Sequence, residues 1–201
     1  MSKKVDVENL AKKAIKDKNL LSELLQGILS KKDEKREPSF KALLQISEEH
    51  PELIYSEWDY FAELLTSDNS FHKYMAIYLI ASLTRVDKEN KFEKIFDKYY
   101  DLLDDKSVIP PSHTAKNSGK IAKAKPNLQT KITNKLLSID ETHHKPERKD
   151  LIKGYAIEAF NEYFEEAENK KEILEFVKKQ LKSKSPTTIK KAKEFLKKWE
   201  K

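Results

Sequence analysis

The segment Lys73-Tyr74-Met75-Ala76-Ile77-Tyr78-Leu79-Ile80-Ala81-Ser82-Leu83 carries the pattern that sets the fold class of this chain. Its residues 73, 76, 80 and 83 are spaced by +3, +4 and +3, which places them on one face of an α-helix. The same spacing, with a small residue at the second position, recurs in Arg36-Ser39-Leu43-Ile46, Ser112-Ala115-Gly119-Ala122, Lys153-Ala156-Phe160-Tyr163 and Ile189-Ala192-Leu196-Trp199. The small residue falls at 39, 76, 115, 156 and 192, so the period is 36 to 41 residues. Such a period is typical of stacked helical units that cannot bury their apolar faces alone.

Helices of a second kind are predicted between these segments, because apolar residues recur there at helical spacing. They contain Tyr55, Trp58, Ala62 and Leu65; the apolar residues of 92–103; Leu128, Ile132 and Leu136; and the apolar residues of 173–181. No segment alternates as a half-buried strand does. We therefore predict an all-α fold, a right-handed α-solenoid of helical hairpins. It forms a single domain over residues 1–201, with capping helices in 1–31 and repeats in 32–201. A compact helical bundle is the alternative, but it does not require such a period.

The repeat resembles the HEAT-like repeats of armadillo-like helical proteins. The basic, small and two apolar residues Lys73, Ala76, Ile80 and Leu83 carry the resemblance, together with the preceding helix end at Leu64-Leu65. It covers residues 32–201 and implies an α-α superhelix that presents a curved surface to a macromolecule. The third repeat departs from the pattern at Ser112, Gly119 and Ala122, and the fifth has no second helix.

Composition excludes several classes of function. The chain has no cysteine, so disulfides, thiolate metal sites and cysteine nucleophiles are absent. It has neither a glycine-rich phosphate loop nor a nucleophile elbow, and we expect no cofactor and no enzymatic reaction. Residues 1–6 lack an apolar signal core and no apolar run has membrane-spanning length, which predicts a cytoplasmic protein that does not associate with membranes. The sequence does not fix the oligomeric state.

Positive charge is concentrated in the second half of the chain. Residues 1–105 hold 17 Lys and Arg against 21 Asp and Glu, whereas residues 106–201 hold 23 against 13. Within that half, residues 106–139 contain seven lysines and no acid. One predicted helix there carries lysines on a single face, and its partner helix adds lysines and asparagines. These candidate partner-binding residues are Lys116, Lys120, Lys123, Asn127, Lys131, Asn134 and Lys135.

The acid-free segment has two interpretations. It is either a basic patch that binds an anionic macromolecule or a solvated helix face. We predict a non-enzymatic scaffold that binds a protein partner with an acidic surface; the alternative is a protein that binds the nucleic-acid backbone. The resemblance also extends to DNA alkylation-repair glycosylases, which hold a damaged nucleotide with aromatic residues and a carboxylate. Tyr55, Trp58 and Asp59 are the candidate group for that activity, although Trp58 fits the apolar stripe of its helix.

The histidines give only a weak indication of a metal site. His143-His144 lies in a polar connection with Asp140 and Glu141 nearby. Adjacent residues rarely present their side chains to the same ion, so the sequence predicts no metal site.

Overall fold

The computed structural model describes residues 6–200, and no β-strand occurs among them. Eleven α-helices lie in this part of the chain. They are α1 (Val7–Ala14), α2 (Lys18–Gly27), α3 (Asp33–Glu49), α4 (Trp58–Leu64), α5 (Ser70–Leu83), α6 (Lys91–Tyr100), α7 (Ile109–Ala124), α8 (Gln129–Leu137), α9 (Pro146–Tyr163), α10 (Lys170–Lys179) and α11 (Pro186–Trp199). The predicted all-α class is confirmed for these residues. The ends of the predicted domain, residues 1–5 and 201, lie outside the described part.

Short 3₁₀ helices flank many of the α-helices. They are Pro51–Leu53, Tyr55–Glu57, Thr84–Val86, Asp101–Asp104, Pro126–Leu128, Ser138–Glu141 and Gln180–Lys182. Pro146 and Pro186 occupy the first positions of α9 and α11, where a missing N–H breaks no helical hydrogen bond. The Ser185 hydroxyl caps α11 by accepting the Thr188 N–H at 3.3 Å. Proline therefore marks the first residue of both helices, and a serine caps the second.

The five small residues of the sequence period are all buried. They lie on α3, α5, α7, α9 and α11, one on each helix. They are Ser39, Ala76, Ala115, Ala156 and Ala192. The period read from the sequence therefore marks a set of buried helix positions.

Contacts between helices group the chain into two compact units, one ending at Glu93 and one beginning at Lys94. In the first unit α3 packs against α1, α2 and α5, and α4 packs against α5. Its core contains the fully buried side chains of Leu43, Ile46, Trp58, Phe61 and Ile80. The single domain expected over residues 1–201 stays a prediction.

In the second unit α9 contacts α7 and α11, and α8 contacts α7, α9 and α10. Two glycines set these helix contacts. A Cβ atom at Gly119 of α7 would lie 2.9 Å from the carbonyl oxygen of Ala159 on α9. A Cβ atom at Gly154 of α9 would lie 2.5 Å from the Thr188 hydroxyl of α11. The glycine that departs from the repeat pattern is therefore the residue that lets α7 approach the α9 backbone.

Candidate binding surface

The lysines of α7 lie on the side of the helix that faces solvent. Lys116 and Lys123 are exposed and Lys120 is half-buried. The opposite side of the helix carries the small residues that contact its neighbours, among them the buried Ala115 and Gly119. Because the residues at the contacts are short, the long lysine side chains are what α7 presents to solvent. The predicted lysine face is thus accessible.

An acid from α9, Glu162, lies beside these lysines. Its carboxyl carbon would be 2.7 Å from a Cβ at Gly119, so the carboxylate covers the glycine where the two helices meet. Partial desolvation there raises the pKa of Glu162, and the charges of the α7 lysines, Lys123 foremost, oppose this increase. The acid-free segment therefore has an acidic neighbour that comes from α9.

The two lysines of α8 contact residues of α6. The Lys131 amine lies 4.7 Å from the centroid of the Phe96 ring. The Lys135 amine lies 3.4 Å from Oδ1 of Asp97. Lys131 is exposed. Lys135 is less accessible, because it is half-buried, and it already has an acidic neighbour in Asp97. Lys131 is thus the α8 lysine with charge to offer a ligand.

The two asparagines complete the predicted set, and both are exposed. Asn127 and Lys123 line one open cleft of about 420 Å³ between the α7–α8 connection and the segment that follows α9. Glu166 and Glu168 line the same cleft, and the Thr130 hydroxyl donates to Glu168 at 3.0 Å. The cleft therefore joins the end of α7 to the start of α8, with acids on its far wall.

We call the seven predicted residues on α7, on α8 and in their connection the α7–α8 surface. Four acids that lie outside this segment of the sequence are close to the surface in the structure and reduce its positive charge. They are Asp97, Glu162, Glu166 and Glu168. The repeat period is the signal that could have found Glu162, because it places α9 beside α7. Residues 94–201 still hold 25 Lys and Arg against 17 Asp and Glu, so the unit as a whole remains basic.

The candidate group for a glycosylase activity does not form a nucleotide-binding arrangement in the first unit. Trp58 is fully buried, so its ring cannot stack on an extruded base. The Tyr55 hydroxyl donates to Asp87 at 2.7 Å, and the exposed Asp59 lies 3.6 Å from the Lys91 amine. Trp58 is a core residue, as the stripe on its helix indicates.

Asp104, His143 and His144 form a cluster in the second unit that sequence reasoning did not assemble. One potential ligand atom of each lies within 4.8 Å of the others. Burial would raise the pKa of Asp104, but the His143 N–H and ring lower it, and the net shift is downward. Asp140, one of the acids considered from the sequence, instead pairs with Lys153 at 2.9 Å. The acid that joins the histidines comes from the end of the preceding helical hairpin.

Comparison with known proteins leaves the chain without an assigned family. No protein-family model matches it, and searches of curated proteins and of solved structures gave no significant match. Among residues 6–200, every helix is too short or too polar to cross a lipid bilayer.

Proposed function

We propose that the chain is a HEAT-like α-solenoid scaffold that binds a protein partner of acidic surface through the α7–α8 surface, without catalysing a reaction. Two observations within the second unit support the repeat architecture. First helices contact first helices, with α9 against both α7 and α11, and second helices contact each other, with α8 against α10. This is the contact scheme of stacked hairpins.

The observation that carries the proposed binding role is the charge balance on α7. Lys116 and Lys123 form no ion pair within the described residues. The charges of all three α7 lysines act to lower the pKa of one carboxyl group, that of Glu162. Three ammonium groups that share one neighbouring carboxylate keep an excess of positive charge, which attracts an anionic partner at long range. The free charge therefore favours an acidic ligand.

Two features favour a protein partner over a nucleic acid. Acids lie among the lysines. These acids would repel a continuous phosphate backbone, but they are compatible with a protein partner whose acidic surface also contains basic residues. Every Phe, Tyr and Trp side chain within residues 94–200 is buried or half-buried, so the bases of a single strand would find no fully exposed ring of these types to stack on. The expected cytoplasmic location belongs to this proposal.

The test compares two triple variants of the full chain that have the same net charge. The first, Lys116→Glu/Lys123→Glu/Lys131→Glu, reverses the α7–α8 surface. The second, Lys182→Glu/Lys193→Glu/Lys197→Glu, reverses three equally exposed lysines near the C-terminus, none of which forms an ion pair in the described structure. Each replaces three positive charges with three negative ones and so lowers the net charge by six, and a non-specific charge effect therefore weakens binding equally in both.

The probe is a fluorescent polyglutamate peptide, with anisotropy measured at increasing salt. We expect the first variant to weaken peptide binding by about tenfold or more, and the control variant by a few-fold at most. Equal loss in both variants, or no peptide binding at low salt, would contradict the proposed surface.

A short DNA duplex of random sequence tests the alternative. Tighter binding of the duplex than of the peptide, with a steep loss as salt rises, would replace the protein partner with a nucleic acid. The two triple variants then show whether the α7–α8 surface is the contact in that case also.

A further inference from the structure

We propose that Asp104, His143 and His144 form a binding site for a divalent metal ion, for which Zn²⁺ is the best match. Asp104 ends the 3₁₀ helix after α6, and the two histidines lie in the connection that leads into α9. Their potential ligand atoms lie within 4.8 Å of one another. A tetrahedral zinc ion holds its nitrogen and oxygen ligands about 3.4 Å apart, so these side chains have to rearrange locally to complete the set.

The surroundings of His144 set the state of its ring. The side chain is buried, with 9% of its surface exposed, and its Nε2 lies 3.1 Å from the carbonyl oxygen of Leu103. A carbonyl oxygen only accepts, so Nε2 carries the proton and Nδ1 of the neutral ring keeps its lone pair. A ligating histidine that donates its other N–H to a backbone carbonyl is a recurrent outer-shell arrangement of metal sites. His144 is thereby oriented with a ligand atom available.

His143 is held by Asp104 through two contacts. Its backbone N–H donates to Oδ1 of Asp104 at 2.8 Å, and its Nδ1 lies 2.5 Å from the same oxygen. The proton on Nδ1 leaves the lone pair on Nε2. The two imidazole rings lie on the same side of the connection, with centroids 4.3 Å apart. Adjacent histidines usually point apart, and here the Asp104 contacts bring them together.

The donor set matches the chemistry of zinc. Two imidazole nitrogens and one carboxylate oxygen are common zinc ligands, and three protein ligands leave the fourth position for water or another molecule. Both histidines line an open pocket of about 640 Å³. Its walls also carry Lys106, Lys145 and Arg148, with Glu147 as a carboxylate. These cations favour an anion, such as chloride or a carboxylate, in the fourth position.

The same pocket could be interpreted as an anion site without metal. The hydrogen bond of His144 argues against this: with the proton on Nε2, its Nδ1 carries only a lone pair, which cannot donate to an anion and can bind a metal ion. The metal site therefore explains the orientation of the buried histidine as well as the composition of the pocket.

The test is a calorimetric titration of the full chain with Zn²⁺, followed by substitution with Co²⁺ to record its visible absorption bands. We expect one ion per chain and Co²⁺ bands typical of a low-coordinate site with nitrogen ligands. His143→Ala and Asp104→Asn should each reduce the affinity by about tenfold or more. His143 is exposed, so its replacement leaves the core intact. His144→Ala is expected to abolish binding, and circular dichroism checks that this variant remains folded.

His50→Ala is the matched control. The His50 side chain is 47% exposed and lies 3.6 Å from Glu52, whereas that of His143 is 53% exposed and lies beside Asp104. The control should bind Zn²⁺ and Co²⁺ as the natural chain does. The proposal is overturned if no stoichiometric Zn²⁺ binding occurs, if His143→Ala leaves the Co²⁺ spectrum unchanged, or if inorganic phosphate binds the pocket in a chelator-treated sample and added Zn²⁺ does not.

Discussion

The helix α9 contacts α7 along one side and α11 along the other, and the two contacts balance charge differently. Towards α11, Glu158 pairs with Lys191 at 2.8 Å, and the same amine lies 4.3 Å from the centroid of the Tyr155 ring. Towards α7, Glu162 stands beside three lysines and forms no ion pair within the described structure. The α11 contact matches its charges in pairs, whereas the α7 contact leaves an excess of positive charge. This difference is why we place the binding surface on α7 rather than on α11, although α11 carries five lysines and α7 three.

The two contacts also differ in what a glycine faces. Gly119 faces a backbone carbonyl of α9, which cannot rotate away. Gly154 faces the side chain of Thr188, whose hydroxyl donates to the carbonyl oxygen of Asp150 at 2.8 Å. A backbone obstacle forces two helices apart, whereas the Thr188 side chain can be displaced at the loss of its hydrogen bonds to Asp150 and Ser185.

Gly119→Ala should therefore be the most destabilising of the changes considered for α9 and its neighbours. We expect it to lower the free energy of unfolding by about 2 kcal/mol, because overpacking outweighs the helix propensity gained from alanine. Gly154→Ala should cost about half as much, since Thr188 can move. Urea denaturation of both variants measures the difference. A Gly154→Ala variant less stable than Gly119→Ala would mean that the α11 contact is the more rigid of the two.

Asp150 gives the α11 side a pH dependence of its own. Burial would raise its pKa, but the Lys184 N–H at 2.8 Å, the Ser183 hydroxyl and the Lys153 amine lower it, and the net shift is downward. The ionised carboxylate thus stabilises the fold above the unfolded-state pKa of 3.8, and this contribution is lost as pH falls through the folded-state pKa.

Asp150→Asn should lower the free energy of unfolding by about 1–2 kcal/mol at neutral pH. The cost arises because the buried Lys153 and the Lys184 N–H lose a charged acceptor. Chemical denaturation at a series of pH values should show the difference from the natural chain shrinking below pH 3.8. A difference that stays constant with pH would show that the ionised form is not what stabilises this contact.

Glu162 on the α7 side should behave with the opposite sign and a smaller effect. Because its pKa is raised above the ordinary 4.5, the folded state is penalised as pH rises from 4.5 through the folded-state pKa. Glu162→Gln should leave stability at neutral pH equal or slightly higher, within about 0.5 kcal/mol. Glu158→Gln, which removes the Lys191 pair, is the matched change on the other side and should destabilise by a similarly small amount.

The same pair of variants separates the contacts in a binding assay. Glu162→Gln should bind the polyglutamate peptide more tightly than the natural chain, because one negative charge leaves the α7–α8 surface. Glu158→Gln should change the affinity less, since Lys191 lies outside that surface. Equal strengthening by both would point to net charge alone as the cause.

The sequence predicts the helices well because their signals are local. The apolar stripes, the small residue within each stripe and the prolines at the starts of α9 and α11, Pro146 and Pro186, all act within a few turns of the chain. The buried positions of Ala76, Ala115 and Ala156 follow from the same spacing and are confirmed. The domain organisation and the HEAT-like architecture stay predictions.

The candidate sites were harder to predict because they depend on contacts between helices and connections that lie far apart in the sequence. The lysine face on α7 is visible in the sequence, but its balance depends on Glu162, and that of Lys135 depends on Asp97. The sequence neighbours of His143 and His144 predict no metal site, because the acid that joins the histidines, Asp104, follows an earlier helix, α6. In both cases, the lysines of the α7–α8 surface and the histidine pair, acids from other helices or connections change the chemistry of the site. No local sequence pattern predicts these acids.

The close approach at Gly119 also has a consequence for recognition. A helix that packs directly against the backbone of its neighbour has little freedom to slide or rotate. The side chains of Lys116 and Lys123 therefore extend from a rigid helix. A partner that matches their spacing pays little conformational entropy on docking, beyond that of the lysine side chains themselves. Loosening the contact by enlarging residue 119 should therefore weaken recognition through mobility, even where every lysine remains in place.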